Sequence, residues 1–390
     1  MHLTQEEERV YDGESGWANQ TCIKILVRLG ELFNAEKLIP INSAHVSGVS
    51  YKTLGDAPIE FLRALADNEA RVKVRTTLNP QSLDSRYLGK KLPKRLLKPQ
   101  LDILEQFEKM GLTQSLTCTP YYLKTPKHGT HHAWAESSAV VYANSVLGAW
   151  TNREGGPSAL AAAIIGKTPD YGIHRIENRQ PNVTVKLETK LRNEIELGAL
   201  GIFLGKTVGD KTPAIQGLPN TSEDWLKQLC AAIATTGMAN MFHLNSCSRN
   251  KETEKINVDS PQIKKTVEEL STASTHQPDL VFLGCPHCSL TEVKRIAQFA
   301  EGEKVKAGTE FWVCTSCHVR QMASEYVKKI EGAGGHVLES VCTIVSWTEK
   351  LGIKTIMTNS AKTAYYAPTL NKAQTLFAPL QDCLKTAFQR

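Results

Sequence analysis

The chain has 390 residues, of which 41% are hydrophobic and 22% are charged, so it can bury a large core. Its formal net charge of +6 is small for this length, and no dense stripe of Lys and Arg interleaved with aromatic residues is present. Nucleic acid binding is therefore not indicated. No run of about 18 apolar residues occurs, so no membrane-spanning segment is predicted.

The N-terminal segment and the cysteine content bear on the compartment. Residues 1–14 are acidic and lack the apolar core of a signal peptide. Ten cysteines in a chain of this size are more typical of metal binding or catalysis in a reducing compartment than of a disulfide scaffold. We therefore expect a cytoplasmic protein. The basic cluster at 90–98 is interpreted as a solvated surface segment.

The first elements predict two α/β units in succession. Residues 4–35 are typical of a helix, a break and a helix, and a short strand at 35–45 leads into a loop at 46–51. An amphipathic helix at 58–70 and a strand at 71–80 follow. In open α/β sheets, ligands bind beyond the carboxyl ends of the strands. The two small polar loops that end these strands are therefore candidate binding loops, although either could be an ordinary turn.

The next region contains two helices that are rich in small residues. Cys118 is predicted at a strand end, and Glu136 precedes the helix Ser137–Leu147, where a carboxylate suits the positive end of the helix dipole. A second helix is predicted at 158–166. Small residues at these positions indicate close packing, either around a site or simply within a tight core.

The centre of the chain is the predicted internal boundary. The amphipathic helix at 221–237 places Cys230 on its inner face as a core residue. The following segment, 245–277, is polar and is interpreted as a linker or surface excursion before a helix. The chain is accordingly subdivided into N-terminal α/β regions at 1–245 and a C-terminal α/β region at 275–390.

The last third repeats a strand–helix rhythm. Four predicted strand ends carry Cys285, Cys314, Cys342 and the pair Asn359-Ser360. Alternating strands and helices predict an α/β layered architecture with mainly parallel sheets. A cysteine in the turn between the first of these strands and its helix is expected to have a lowered pKa, because the helix dipole and free backbone amides favour the thiolate.

Two cysteine constellations are compatible with this pattern. Cys285 and Cys288, together with Cys314 and Cys317, have the spacing of a four-cysteine zinc site, and a dithiol redox pair is a further possibility. Each pair, however, lies at a strand-to-helix turn rather than on a zinc-ribbon hairpin. The second constellation takes one cysteine from each of three distant strand ends: Cys118, Cys285 and Cys342. Three thiolates can hold a cubane iron–sulfur cluster and leave one iron without a protein ligand. Spacing alone does not decide between the two.

Six motifs spread over the chain resemble the large subunit of the aconitase X family. They lie at His45–Gly55, Cys118–Tyr122, Trp134–His174, Gly284–Glu292, Ser340–Ser346 and Thr358–Pro368. The resemblance implies an aconitase-like multi-domain architecture of layered βα units around a central iron–sulfur site. It implies a [4Fe-4S] cluster bound by Cys118, Cys285 and Cys342, with one open iron. Cys288, Cys314 and Cys317 are then structural residues, and a zinc site is the minor alternative.

The resemblance also implies an activity. Segment 151–172 resembles the archaeal branch of the family, the phosphomevalonate dehydratases of a modified mevalonate pathway of isoprenoid biosynthesis. The implied reaction is the dehydration of (R)-5-phosphomevalonate to trans-anhydromevalonate 5-phosphate, with iron as the Lewis acid. The alternatives are a cis-3-hydroxy-L-proline dehydratase of the same family and a zinc-stabilised, non-catalytic binding protein. Trp150 replaces an expected arginine, which could alter local substrate contacts.

Site residues and a partner follow from the same resemblance. Glu136 and Ser137 resemble the family's substrate-binding or proton-handling pair, and Lys362 is expected to pair with a substrate anion. The positions expected to form a substrate-binding rim are Gly48, Val49, Ser50, Asn79 and Pro80. The catalytic base is expected on a separate small subunit that resembles the swivelling domain of aconitase. We therefore expect a heterodimer or a larger assembly, and an inactive large subunit when it is alone.

Overall fold

The computed structural model describes residues 1–84, 86–113, 115–246, 253–275 and 277–388. They form two compact units. Unit 1 comprises Met1–Pro80 and Lys94–Gln180, and unit 2 comprises Gln81–Pro93 and the described residues from Pro181 onward. The subdivision at 1–245 and 275–390 was drawn from composition rather than from contacts, and it stays a prediction.

The first 180 residues contain eight helices, five strands and three 3₁₀ turns among the described residues. The helices are α1 (Gln5–Asp12), α2 (Trp17–Leu32), α3 (Tyr51–Leu54), α4 (Ala57–Asp67), α5 (Leu88–Lys91), α6 (Lys94–Lys109), α7 (Ser137–Ser145) and α8 (Gly156–Ile165). The strands are β1 (Leu38–Pro40), β2 (Ser43–Val46), β3 (Arg75–Leu78), β4 (Ala133–Trp134) and β5 (Lys167–Pro169). The 3₁₀ turns are Pro120–Tyr122, Gly172–His174 and Ile176–Arg179.

Unit 1 is organised on a small parallel sheet. Its strands lie in the order β3-β2-β4, and β1 pairs with β5 in a separate antiparallel ribbon. Helix α8 packs against β2 and also against α2. The run Ala159–Ile164 is almost completely buried, because its small side chains allow close packing of α8 against its neighbours. The predicted helix, break and helix at the start of the chain are confirmed as α1 and α2.

The described residues from 181 onward contain a further eight helices and nine strands. The helices are α9 (Glu194–Val208), α10 (Glu223–Thr236), α11 (Ser260–Glu269), α12 (Leu290–Ala300), α13 (Cys317–Met322), α14 (Ser324–Gly332), α15 (Ala361–Tyr366) and α16 (Leu380–Ala387). The strands are β6 (Val183–Leu187), β7 (Pro213–Gln216), β8 (His243–Leu244), β9 (Glu254–Val258), β10 (Leu280–Leu283), β11 (Glu310–Thr315), β12 (His336–Glu339), β13 (Thr355–Thr358) and β14 (Gln374–Phe377). Short 3₁₀ turns at Thr343–Val345 and Thr348–Leu351 and a π-turn at Ala367–Asn371 complete the elements.

Unit 2 is built on two parallel sheets. One has the strand order β8-β7-β6-β9 and the other β12-β11-β10-β13-β14. All four residues of β10 are buried, as expected for a central strand covered on both faces. Helices α9 and α10 approach closely at Gly201, where a Cβ atom would lie 2.5 Å from that of Ala232. The predicted α/β layered architecture with mainly parallel sheets is confirmed.

Three local predictions need correction. Segment 245–277 is not simply a linker, because β9 pairs along its whole length with β6; residues 247–252 and His276 of that segment lie outside the described residues. Cys314 lies within β11 rather than at its end. Cys118 follows a single parallel bridge, Leu78 to Leu116, instead of a regular strand.

Two further observations concern the whole described chain. No described helix combines the length and the apolar character needed to cross a membrane. The nine cysteines within the described residues are all free, and Cys230 is fully buried on α10 as predicted.

Candidate active site

Three predicted site residues lie at the carboxyl edge of the unit 1 sheet. Gly48 follows β2, Asn79 follows β3 and Glu136 follows β4. The Asn79 backbone N–H donates to the carbonyl of Val46 at 2.9 Å, and its side-chain Nδ2 donates to Glu136 Oε2 at 2.9 Å. The structure therefore brings together the two predicted binding loops and the predicted carboxylate. Parallel strands produce this result because their carboxyl ends share one edge.

Glu136 is the N-cap of α7, as its position in the sequence suggested. Its Oε1 accepts hydrogen bonds from the backbone N–H of Ser138 at 3.3 Å and from the Ser138 hydroxyl at 2.8 Å. The residue is 8% exposed. Ser137 is the first residue of α7 and is partly exposed. Both carboxylate oxygens are thus held by donors within unit 1, which fixes the direction in which the group points; its catalytic role stays a prediction.

The loop that follows β2 is held by a buried glutamine. Gln100 on α6 is fully buried, and its Nε2 donates to the carbonyl of Val49 at 2.8 Å. Its Oε1 accepts from the backbone N–H of Tyr51 at 3.1 Å. Gly48 has a positive φ of 81°, a conformation that favours glycine. Sequence reasoning missed Gln100, because a glutamine on an amphipathic helix gives no signal that a distant loop needs its amide.

Cys118 lies at this same edge of the unit 1 sheet. The N–H of Thr117 donates to the carbonyl of Leu78 at 2.8 Å, so the segment runs parallel to β3. Cys118 is partly exposed, and the hydroxyls of Thr117 and Thr119 on either side of it lie 3.0 Å apart. The position of Cys118 relative to Asn79 is therefore that of a neighbouring strand end, as predicted, although the strand is reduced to one bridge.

Trp150 has a specific role in unit 1. The guanidinium of Arg179 lies over its ring, 4.6 Å from the centroid, and is within the range of cation–π attraction. Arg179 is 7% exposed and donates to the carbonyls of Asn144 and Ala149, each at 3.2 Å. Burial lowers the pKa of Arg179 to about 10. Where an arginine was expected at position 150, this chain presents an aromatic ring to a guanidinium that comes from another segment.

In unit 2, Cys285 lies in a loop that is attached to β11 by its backbone. Gly284 adopts a positive φ of 109°, and a side chain there would collide with the backbone of Cys314. The N–H of Cys288 donates to the carbonyl of Cys314 at 2.9 Å, and the hydroxyl of Thr315 donates to the carbonyl of Cys288 at 2.8 Å. A glycine is needed before Cys285 because the loop lies directly on the neighbouring strand.

His287 and a buried ion pair support the same loop. The Nε2–H of His287 donates to the carbonyl of Val341 at 2.9 Å, which ties this loop to the segment that carries Cys342. Lys227 is fully buried on α10; its ammonium donates to the carbonyl of His287 at 3.0 Å and pairs with Glu292. Burial holds the pKa of Glu292 above its usual value, although Lys227 acts in the opposite direction. His287 therefore has a structural role, because it connects the Cys285 loop to the segment that carries Cys342.

Cys342 interacts with Cys285 and Lys362. The N–H of Cys342 donates to the carbonyl of Gln81 at 3.0 Å. The N–H of Gln81 donates to the carbonyl of Ser340, also at 3.0 Å. Burial raises the pKa of Cys342 to about 12, and the neighbouring Cys285 adds to this rise. Lys362 acts in the opposite direction, because its positive charge stabilises a thiolate. Cys342 thus lies within electrostatic range of both Cys285 and Lys362.

The remaining cysteines of the two Cys-x-x-Cys pairs differ in their surroundings. Cys288 and Cys314 are buried, and burial raises the pKa of each thiol. Cys317 is exposed at the first turn of α13. Among the described residues, no group of three or more His, Cys, Asp or Glu side chains is arranged to hold a metal ion, and a four-cysteine zinc site is accordingly not found there.

Comparison with known proteins identifies the family. Family models described as the first, second and third domains of aconitase X match residues 1–177, 181–270 and 278–389. The phosphomevalonate dehydratase large subunit of Methanocaldococcus jannaschii is 44% identical, with 99% of this chain and all of that protein covered. The cis-3-hydroxy-L-proline dehydratase of Pseudomonas aeruginosa is 31% identical, with 98% of this chain and 69% of that protein covered.

A solved structure gives the same result. The crystal structure of Thermococcus kodakaraensis aconitase X in its holo-form superposes with a TM-score of 0.93 at 39% identity, and 99% of this chain and all of that chain are covered. This identity is well above chance similarity and extends over the full length of both chains. It therefore shows common family membership as well as a shared fold. The chain belongs to the aconitase X family, as its motifs indicated.

Proposed function

We propose that this chain is the large subunit of a phosphomevalonate dehydratase, a hydro-lyase that forms trans-anhydromevalonate 5-phosphate from (R)-5-phosphomevalonate. The observation that carries the proposal is the order of the relatives. Five archaeal proteins named phosphomevalonate dehydratase large subunit are 38–44% identical and are covered over 94–100% of their length. Two proteins named cis-3-hydroxy-L-proline dehydratase are 30–31% identical and are covered over only 68–69% of theirs.

The chemistry required by this substrate fits the unit 1 site. Phosphomevalonate carries a carboxylate, a tertiary hydroxyl and a phosphate, and loss of water requires an acid for the hydroxide and a base for a proton beside the carboxylate. That proton is weakly acidic, so stabilising the resulting negative charge is the main catalytic task. The backbone N–H groups of Gly48, Val49 and Ser50, the Ser50 hydroxyl and the side-chain NH₂ of Asn79 would donate to anionic oxygens, while Pro80, which has no N–H, would shape the rim beside Asn79. Glu136 and Ser137 would handle the proton or hold the substrate beside them.

We also propose that a [4Fe-4S] cluster is bound by Cys118, Cys285 and Cys342. Two observations support this group: the nearby Cys285 raises the pKa of Cys342, and Lys362 lowers it and so favours the thiolate form of Cys342 that a cluster requires. When bound, the cluster would supply a Lewis acid for the departing hydroxyl at an iron that has no protein ligand. Lys362 is further proposed to pair with an anionic group of the substrate.

The printed names of the relatives include the words large subunit, which implies a separate small subunit for those proteins. We propose that this chain has such a partner, that the partner resembles the swivelling domain of aconitase, and that it supplies the base. The complex is expected in the cytoplasm, where a reducing environment keeps the thiols free. The large subunit alone should not turn over substrate, even with its cluster reconstituted.

An anaerobic assay of the reconstituted complex tests the proposal. Phosphomevalonate and cis-3-hydroxy-L-proline are offered in parallel to the large subunit, with and without the small subunit. The expected result is dehydration of phosphomevalonate alone, and only by the complex. Dehydration of hydroxyproline instead, or of neither compound by a complex that contains full iron and sulfide, would contradict the assigned substrate. Turnover by the large subunit alone would contradict the location of the base.

A further inference from the structure

His45 lies on the central strand of the unit 1 sheet, close to the candidate catalytic carboxylate of Glu136. It lies on the middle strand β2, opposite Thr77 on β3 and Trp134 on β4. Its side chain is fully buried, and its ring meets that of Trp134 edge-on at a centroid distance of 6.3 Å. Thr77 and Asn79 project from the same face of the chain at β3, because side chains alternate along a strand. The imidazole therefore lies between these two polar groups.

A continuous chain of side-chain hydrogen bonds runs from Thr77 to Glu136. The hydroxyl of Thr77 lies 2.7 Å from His45 Nδ1, and His45 Nε2 lies 3.1 Å from Asn79 Oδ1. Asn79 Nδ2 then donates to Glu136 Oε2 at 2.9 Å. His45 is fully buried, Thr77 and Glu136 are 6% and 8% exposed, and Asn79 is partly buried.

The chemistry of the four side chains allows only one donor-to-acceptor direction for this series of hydrogen bonds. A carboxylate only accepts, so Asn79 must turn its NH₂ toward Glu136 and its oxygen toward His45. That oxygen requires a donor, which places the proton of a neutral imidazole on Nε2. Nδ1 is then an acceptor and takes the proton of the Thr77 hydroxyl. Burial lowers the pKa of His45 to about 4, so the ring carries one proton at neutral pH and the direction is maintained.

We propose that His45 is a positioning residue for the dehydration: its Nε2–H fixes the amide orientation of Asn79, and Asn79 thereby presents an N–H to Glu136. This inference rests on the proposed role of Glu136. Without the imidazole donor, the Asn79 amide can rotate, and its oxygen would then face a carboxylate that repels it. The result is a misdirected Glu136 in an otherwise intact site, with the substrate-binding loop after β2 unchanged.

Two matched pairs of variants test this inference in the complex with phosphomevalonate. His45→Gln can still place an amide N–H near Asn79, whereas the shorter His45→Asn can reach only Thr77. We expect kcat to fall about 10- to 100-fold in His45→Asn, with less than about a threefold change in KM, and substantial recovery in His45→Gln. Thr77→Val should also lower kcat. Thr76→Val removes a hydroxyl from the opposite face that donates to the carbonyl of Val74, and it should leave kcat unchanged. Equal kcat values in His45→Asn and wild type would overturn the inference.

The tautomer of His45 supplies a readout that needs no turnover. Side-chain ¹H–¹⁵N spectra of the full chain, with ¹⁵N-labelled histidine, report which ring nitrogen carries the proton, and the signal missing in His45→Gln assigns the residue. The expected result at pH 7 is a neutral ring with its proton on Nε2. A proton on Nδ1, or a doubly protonated ring, would overturn the inference even if the enzyme is active. If the wild-type complex dehydrates nothing, the proposed function fails, while this spectrum still decides the hydrogen-bond direction.

Discussion

The two units hold their candidate reactive groups by different means. In unit 1, Glu136 is oriented by side chains: Asn79 holds one oxygen and Ser138 the other. In unit 2, backbone bonds attach the loops of Cys285 and Cys342 to neighbouring segments, such as the bond from Cys288 N–H to the carbonyl of Cys314, and the side chains of Thr315 and His287 add further bonds. The buried ion pair between Lys227 and Glu292 further stabilises the Cys285 loop.

This difference suits the two kinds of chemistry. A proton-handling carboxylate must point in one direction, and side-chain hydrogen bonds impose direction. Cluster ligands must keep their spacing while the cluster is assembled, and backbone bonds to an adjacent strand maintain spacing whatever the side chains do. Substitutions at the hydrogen-bond partners of Glu136 should therefore change the rate and leave the fold intact, whereas substitutions at the cluster cysteines or at Lys227 should change cofactor content or stability.

The largest effect is expected from Cys342→Ser. Loss of one thiolate should remove the cluster, and turnover of phosphomevalonate by the complex should fall by at least about 1,000-fold because the Lewis acid is lost. Iron and sulfide analysis with the visible absorption spectrum provides the measurement. Cys317→Ser is the matched control, since Cys317 is an exposed member of a Cys-x-x-Cys pair, and its cluster content should equal that of the wild type. An unchanged cluster in Cys342→Ser would show that the ligand set is wrong.

A smaller but substantial effect on stability is expected from Lys227→Met. The substitution leaves Glu292 buried without its cation, and breaking such a pair costs about 3–5 kcal/mol in the free energy of unfolding. Urea unfolding at pH 7 measures the loss. The double variant Lys227→Met, Glu292→Leu should recover much of it, because no unpaired charge remains buried. If the single and double variants are equally unstable, the ion pair is not the cause.

The most gradual effect is a dependence of stability on pH, to which buried histidines of unit 1 contribute. Burial lowers the pKa of His45 and His132 to about 4 and that of His174 to about 3, compared with 6.5 in the unfolded chain. As the pH falls below 6.5, the unfolded chain binds protons that the folded chain does not, so the free energy of unfolding decreases until the folded pKa is reached. Each histidine contributes up to about 1.4 kcal/mol per pH unit within that range.

Urea unfolding at several pH values between 7 and 4.5 measures this slope. His132→Gln should reduce it by the contribution of one histidine, whereas the exposed His128→Gln should leave it unchanged. An identical slope in wild type and His132→Gln would mean that His132 is not neutral when buried.

The sequence predicted the elements whose signal is local. The turn at Cys285 was found because it ends the apolar run Leu280–Leu283, which is typical of a buried strand. The loops at Gly48 and Asn79 were found because small polar residues follow two predicted strands. Edge strand β9 was missed because its sequence, Glu254–Val258, is mostly exposed and lacks an apolar pattern. A strand of this kind is defined by its partner β6 rather than by its own residues.

The support of each site could not be predicted, because it depends on contacts between distant residues. Lys227 lies on a helix where a lysine is normally solvated, and its burial is explained by partners far along the chain, Glu292 and the carbonyl of His287. His45 was included in a family motif without any role, since its partners Thr77 and Asn79 lie on another strand. The choice of Cys118, Cys285 and Cys342 came from the family resemblance rather than from spacing.

The central claim is that the thiols of Cys118, Cys285 and Cys342 hold the cofactor while the carboxylate of Glu136 acts on the substrate. Glu136→Gln in the reconstituted complex tests this claim most directly, with iron, sulfide and phosphomevalonate turnover measured on the same anaerobic sample. The account predicts full cluster content together with a kcat lowered by about 100- to 10,000-fold. A variant that retains turnover, or that loses its cluster along with its activity, would contradict it.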